Sequence, residues 1–180
     1  MSLPNNLPPL LTCTRRLTFC AGHRVMGHEN KCAHLHGHNY VVYATAKATP
    51  LADPTDPQGR VIDFSVIKER LNGWLDSNWD HGFILHADDI RAKMHVINFG
   101  QDYHQMNEST SAYANPRYQK LYTLPYNPTA ENIAKYLLTE ICPDLFEDTF
   151  IEIVEITIEE TENCKAAATL ATSHPPPHPH

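Results

Sequence analysis

The chain has 180 residues, 42% of them hydrophobic and 19% charged, with a formal net charge of −7 at pH 7. That length suits one domain able to bury a core without crosslinks, and the acidic balance speaks against a general nucleic-acid binder. No apolar run approaches the roughly 18 to 20 residues that span a bilayer, and the start has neither the basic region nor the long apolar region of a secretory signal, so a cytoplasmic protein without membrane contact is expected. Five cysteines, Cys13, Cys20, Cys32, Cys142 and Cys164, form no CxxC pair and suggest neither a disulfide framework nor a cysteine metal knuckle.

In chain order, residues 1–14 read as an N-terminal extension, and Arg15 to His23 then alternates, with Leu17, Phe19 and Ala21 on one face and Arg16, Thr18 and Cys20 on the other. His23 continues the apolar face. A second strand runs from His36 to Ala48, with Tyr40, Val42, Ala44 and Ala46 in phase, and ends before the turn-rich PLADPTDPQGR. After Asp63, a candidate N-cap, the positions Phe64, Ile67, Leu71, Trp74 and Leu75 predict a helix ending near Trp79. Residues 86–125 are polar and too long for an ordinary connection, and read as a loop excursion. A second helix is expected from Asn127-Pro128 through Ile133, Leu137 and Ile141, stopping before Pro143. The last strong strand is Phe150 to Glu160, with Val154, Ile156 and Ile158 opposing Glu155, Thr157 and Glu159, and a short strand follows near Lys165 to Leu170. Residues 171–180, rich in proline and histidine, read as a disordered tail. The order of elements predicts an antiparallel α+β domain over residues 15–170.

Twelve histidines are many for this length, and three lie in the tail. His34, His36 and His38 point the same way on an extended segment. The outer two lie about 13 Å apart at about 3.3 Å per residue, too far to share an ion, whereas neighbours two apart can converge on one metal. Spacing alone leaves His34/His36 and His36/His38 both open. His23, at the end of a strand whose buried face it shares, is the natural third ligand. One histidine is more often a core residue than a ligand, but an HxH pair with an in-phase partner favours zinc, and three imidazoles leave a fourth position for substrate. Glu160 is in phase with Ile156 and Ile158, and a carboxylate at the end of a buried face needs a partner.

The segment Cys32-Ala-His-Leu-His36-Gly-His38-Asn-Tyr resembles the CxxxHGHNY signature of the 6-pyruvoyl-tetrahydropterin synthase and 6-carboxy-tetrahydropterin synthase family. Phe19-Cys-Ala-Gly-His23-Arg, Val61-Ile-Asp-Phe, Asp80-His81, Asn127-Pro-Thr-Ala-Glu-Asn132 and Glu160-Thr161 match in order over about residues 15 to 165. The 86–125 stretch is longer than the family's usual connection, and Trp79 stands where leucine is more usual. The resemblance implies the tunnelling fold, an antiparallel four-stranded sheet with two helices packed on one face, assembled into trimers and then a homohexamer. It selects His23, His36 and His38 as zinc ligands. It further implies Cys32, Asp80 and His81 as the proton-transfer set, Glu160 as the anchor of the pterin ring, and Thr129 as part of the same pocket. The implied substrate is 7,8-dihydroneopterin triphosphate. Carboxy-forming members place three residues between the cysteine and the HGH motif, as Ala33, His34 and Leu35 do here, while pyruvoyl-forming members carry a longer spacer. The expected products are therefore 6-carboxy-5,6,7,8-tetrahydropterin, acetaldehyde and triphosphate. The alternatives are the sister reaction giving 6-pyruvoyl-tetrahydropterin and a non-catalytic pterin or zinc binder on the same scaffold.

Overall fold

The computed structural model describes residues 11–48, 59–106 and 119–170. Residues 1–10, most of the turn-rich stretch after Ala48, part of the 86–125 excursion and the tail from 171 lie outside the described residues. Strand β1, Thr12–His23, begins three residues before the expected Arg15. Leu17, Phe19, Ala21 and His23 are buried along it while Thr18 and Cys20 are exposed, the period of two that a half-buried strand requires. β2, His36–Ala48, lies antiparallel to β1, with Phe19 opposite Tyr40 and His23 opposite His36.

The four antiparallel strands are β1, β2, β5 (Ile151–Thr161) and β6 (Cys164–Thr169). Two more strands, β3 (Gly82–His86) and β4 (Leu121–Leu124), extend the sheet beyond β1 and are parallel to it and to each other. The sheet is thus mixed and six-stranded, in the order β4-β3-β1-β2-β5-β6, rather than antiparallel and four-stranded. The 86–125 segment is correspondingly not all loop. It holds the helix α3, Ile90–Met106, and β4, because parallel neighbours need a crossover of a dozen or more residues.

Two helical runs pack on one face. α1 (Phe64–Ile67), a π turn (Lys68–Asn72) and α2 (Gly73–Asn78) follow one another without a break. Asp63 caps the run as its sequence suggested, its Oδ1 accepting the Ser65 amide at 2.9 Å. Ile67, Leu71 and Leu75 are buried, but Phe64 is exposed. Trp79 closes the run inside the core, stacked on Tyr136, edge-on to Trp74 and Tyr122 and tilted against Phe19. The second run, α4 (Ala130–Tyr136), a π turn (Leu137–Ile141) and α5 (Cys142–Leu145), starts two residues later than expected, with Thr129 as its cap. It also continues past Pro143. That proline falls in the first turn after the π turn, where its ring displaces no essential amide. α3 lies on the opposite face, where Ala92 and Val96 meet Phe83, Leu85 and Leu121.

β5 departs from simple alternation. Its pairing with β2 slips between Thr45 and Ala46, so Ile151 and Ile153 are buried before the slip and Ile156 and Ile158 after it. Val154 therefore leaves the buried face on which alternation had placed it, since one inserted residue inverts the phase upstream. A second slip, between Glu159 and Thr161 in the pairing with β6, leaves Glu160 without a partner in that ladder.

Candidate metal centre and active-site cleft

Because β1 and β2 end in register, alternation sets His23, His36 and His38 on the face of Tyr40. The Nε2 atoms of His23 and His36 are 3.1 Å apart, and one ligand atom from each of the three histidines lies within 4.8 Å of the others. His34 is exposed and stands apart from this group.

The tautomers follow from the second ring nitrogens. His23 Nδ1 donates to the carbonyl of Pro128 and His36 Nδ1 to the carbonyl of His34, both at 2.8 Å. A carbonyl only accepts, so each Nδ1 carries its proton and Nε2 is left as the ligand atom. Burial pushes the His23 pKa down to about 4, with only partial compensation from the Pro128 bond, so this ring is neutral near pH 7. Its bare Nε2 faces His36 Nε2 and lies 3.3 Å from Glu160 Oε1. His38 Nε2 is buried without a hydrogen-bond partner. Two bare imidazole nitrogens facing each other, with a third ring nitrogen unpaired beside them, is the arrangement a metal ion resolves.

Glu160, freed from the β6 ladder by the bulge, turns toward this group. Its Oε1 lies 3.9 Å from His38 Nε2 and accepts a long 3.5 Å bond from the Tyr40 hydroxyl. Burial, reinforced by the Glu160 carboxylate, raises the Tyr40 pKa, so the phenol remains a donor. Cys32 occupies the middle of a 3-10 turn, Lys31–Ala33, and its carbonyl accepts the Val25 amide at 2.7 Å. His23, Cys32, Thr129 and Glu160 line one cleft of about 190 Å3. Thr129 reaches it from the head of α4, where its hydroxyl also accepts the Asn132 amide at 3.4 Å.

Asp80 and His81 are not in that cleft. They sit between α2 and β3, and His81 borders a second cleft with Cys20, Asn39, Phe83 and Gln119 that meets the metal group at His38. The pair itself is well formed, with Asp80 Oδ2 2.5 Å from His81 Nδ1 and Asp80 Oδ1 accepting the Cys20 amide at 2.7 Å. Adjacent side chains seldom face each other. They do so here because His81 has a left-handed backbone, φ 56°, the one such non-glycine residue among the described residues. Burial alone would raise the Asp80 pKa, but the Cys20 amide, His81 and the Lys120 charge outweigh it and hold the carboxyl below its usual range.

Several supporting groups escaped the reading of motifs. The Pro128 carbonyl fixes His23, and a carbonyl has no signature in sequence. The Asn127 side chain accepts from the Met26 amide at 2.8 Å and donates to its carbonyl at 2.9 Å, pinning the chain after β1 to the head of α4. Lys120 donates to the carbonyls of Asp76 and Asp80, both at 2.7 Å, closing the end of α2. For Asn127 the matched NPTAEN segment was the available signal.

Comparison with known proteins shows the family and the fold. A 6-carboxy-5,6,7,8-tetrahydropterin synthase of Rickettsia bellii is 43% identical over 155 residues, covering 86% of this chain and 97% of the relative. The Rickettsia typhi protein of the same name is 41% identical over the same coverage. Among solved structures, an uncharacterized protein from Wolinella succinogenes superposes with a TM-score of 0.68 at 22% identity, covering 90% of this chain and 99% of its own. A Plasmodium vivax 6-pyruvoyltetrahydropterin synthase, at 20% identity and covering 89% and 98%, gives 0.57. These two likenesses establish the shared fold. The family model described as 6-pyruvoyl tetrahydropterin synthase matches residues 12–170, and the chain belongs to that family.

Proposed function

We propose that the chain is a zinc-dependent 6-carboxy-5,6,7,8-tetrahydropterin synthase, a lyase acting on 7,8-dihydroneopterin triphosphate. The observation that carries this is the meeting of His23, His36 and His38, each with one ring nitrogen within 4.8 Å of the others, beside a small cleft that His23, Cys32 and Glu160 line. Tetrahedral zinc with Zn–N bonds of about 2.0 to 2.1 Å sets its nitrogens about 3.4 Å apart, near the 3.1 Å already found between His23 and His36. When bound, zinc supplies Lewis-acid polarisation of the substrate's side-chain oxygens.

The protein's own groups divide the remaining work. Glu160 accepts the paired N–H donors of the pterin ring, the two-point recognition a carboxylate gives best, and Thr129 lines the same pocket. Cys32 takes the proton from the side-chain carbon, and His81, oriented by Asp80, relays a second. The three-residue spacer Ala33-His34-Leu35 holds the cysteine on a short tether to His36, whose Nδ1 is fixed by the carbonyl of His34. This tether favours carbon–carbon cleavage after triphosphate departs, with one water consumed to supply the second carboxylate oxygen.

The assembly we propose is a homohexamer, a dimer of trimers, in the cytoplasm. Both edge strands, β4 and β6, lack a further strand among the described residues, and Asp80 and His81 lie apart from the Cys32 cleft of their own chain. No described helix is long and apolar enough to cross a membrane. The test is mass-spectrometric product analysis with the zinc-loaded protein and trapping of acetaldehyde. Stoichiometric 6-pyruvoyl-tetrahydropterin without acetaldehyde assigns the sister reaction, and pterin binding without turnover assigns a binding protein.

A further inference from the structure

Successive residues at the end of β1 are sent to different places. His23 faces the metal group, while Arg24 meets Asp89, which lies 65 residues further on at the head of α3. Arg24 Nε is 2.5 Å from Asp89 Oδ2, and Nη2 is 3.1 Å from Oδ1. Such a two-point pairing is the strong and directional form of the arginine–carboxylate bond. The third donor, Nη1, reaches the carbonyl of Ala33 at 3.2 Å. Ala33 is the last residue of the turn that carries Cys32.

Asp89 is almost sealed from water, its side chain 2% exposed, and its Oδ1 also accepts the Ala92 amide at 3.1 Å. A carboxylate so buried and so fully bonded is a fixed point from which the guanidinium is aimed. The turn is then held at two places. Arg24 binds Ala33, and the Val25 amide binds the Cys32 carbonyl at 2.7 Å.

We infer that Arg24 and Asp89 are a positioning pair for the reaction, setting the Cys32 turn against the metal centre from the head of the 86–125 segment. This rests on the reading of Cys32 as the base in the proposed function. Neither residue lines the cleft that holds Cys32, so each acts through the turn. Buried ion pairs are poor evidence for a stabilising role in themselves, since desolvation offsets most of their attraction; their better-attested use is to fix one arrangement. Asp89→Asn replaces the two charged oxygens with one neutral acceptor, for which Arg24 and the Ala92 amide then compete, and the guanidinium, part exposed already, turns to solvent. Of its two bonds to the chain just after β1, the Cys32 turn then keeps the one from Val25. A base displaced by about 1 Å loses on the order of a hundredfold in rate without a matching loss of substrate binding.

The test compares the zinc-loaded wild type with Asp89→Asn. The expected result is a kcat lower by about ten- to a hundredfold, with KM within about twofold. Zinc content is expected to be unchanged. Alkylation of each cysteine by iodoacetamide, followed by peptide mass spectrometry, is expected to change at Cys32 by about threefold or more and to stay at wild-type rates at Cys20 and Cys164. Alkylation needs no turnover, so an inactive wild type would fail the proposed reaction while still testing the pair. Arg24→Lys keeps the charge opposite Asp89 but lacks the fork that reaches both Asp89 and Ala33, and is expected to change Cys32 selectively in the same way. Unchanged kcat and Cys32 reactivity in either folded variant would overturn the proposal, as would equal changes at all three cysteines. Failure of both variants to fold would overturn it in favour of a purely structural pair.

Discussion

Gly22 lies directly beneath the ring of Phe83, so close that a Cβ at residue 22 would stand 2.4 Å from Cε1 and 2.6 Å from Cδ1. The contact joins β1 to the parallel strand β3 one residue before His23 of the histidine cluster. Phe83 cannot withdraw freely, since it packs on the cluster of Leu85, Ala92 and Val96 beneath α3. Gly22→Ala is therefore expected to lower stability by about 1 to 3 kcal/mol, the ordinary cost of overpacking. Combining it with Phe83→Leu should recover part of that loss, measured by urea denaturation of the single and double variants.

Metal content should separate the histidines by atom. His36→Ala and His38→Ala each remove a ring nitrogen and are expected to lose the bound metal. His34→Ala should retain it, because residue 34 contributes its carbonyl, which alanine keeps. Elemental analysis of the purified variants reads this directly. Equal loss in all three would contradict the assignment.

Glu160→Gln is expected to weaken pterin binding by about tenfold or more while zinc remains, since an amide offers one accepting oxygen where the carboxylate offers two, and bonds to a charged partner are the stronger. Fluorescence titration with a pterin provides the measurement, and unchanged affinity would remove the anchor role.

Acid should act on Asp80 in a defined sense. Its carboxyl is held below the usual range in the folded protein, so its contribution to stability is present above its unfolded pKa of about 3.9 and is lost as pH falls from there through the folded value. The stability difference between wild type and Asp80→Asn should accordingly be flat from neutral pH down to about 5 and shrink below about 4. Carboxyl NMR should give Asp80 a titration midpoint below the unfolded value of about 3.9.

Reading the chain from its residues worked where the signal was local. The alternation of Leu17, Phe19 and Ala21 located β1, Asp63 capped the helix it appeared to cap, and the HxH spacing pointed to a histidine pair but left two pairs open, of which the family motif chose His36 and His38, the two that the fold brings beside His23. It failed where distant parts of the chain decide. β4 has four residues, and α3 leaves Ile90, Met94 and Ile97 exposed while burying Ala92 and Val96, so neither has a periodic pattern strong enough to stand out before the sheet that receives them is known. The bulge in β5 inverts the phase of Val154, and no composition marks a bulge in advance. Asp80 and His81 were named by their motif, yet their mutual contact depends on the sign of one backbone angle. Arg24 and Asp89 had no shared motif to connect them across 65 positions.

That backbone angle at His81 also places two demands on the molecule in opposition. An L side chain in the left-handed region is disfavoured by about 1 kcal/mol, a cost glycine does not carry. His81→Gly should thus release local strain at a largely exposed side chain and leave the fold as stable or more so, while removing the imidazole that Asp80 orients. With His81 in its proposed role as proton relay, selection for robustness and selection for chemistry pull this single position in opposite directions. A stabilising substitution here would be a route by which a member of the family drifts from catalyst to passive binder.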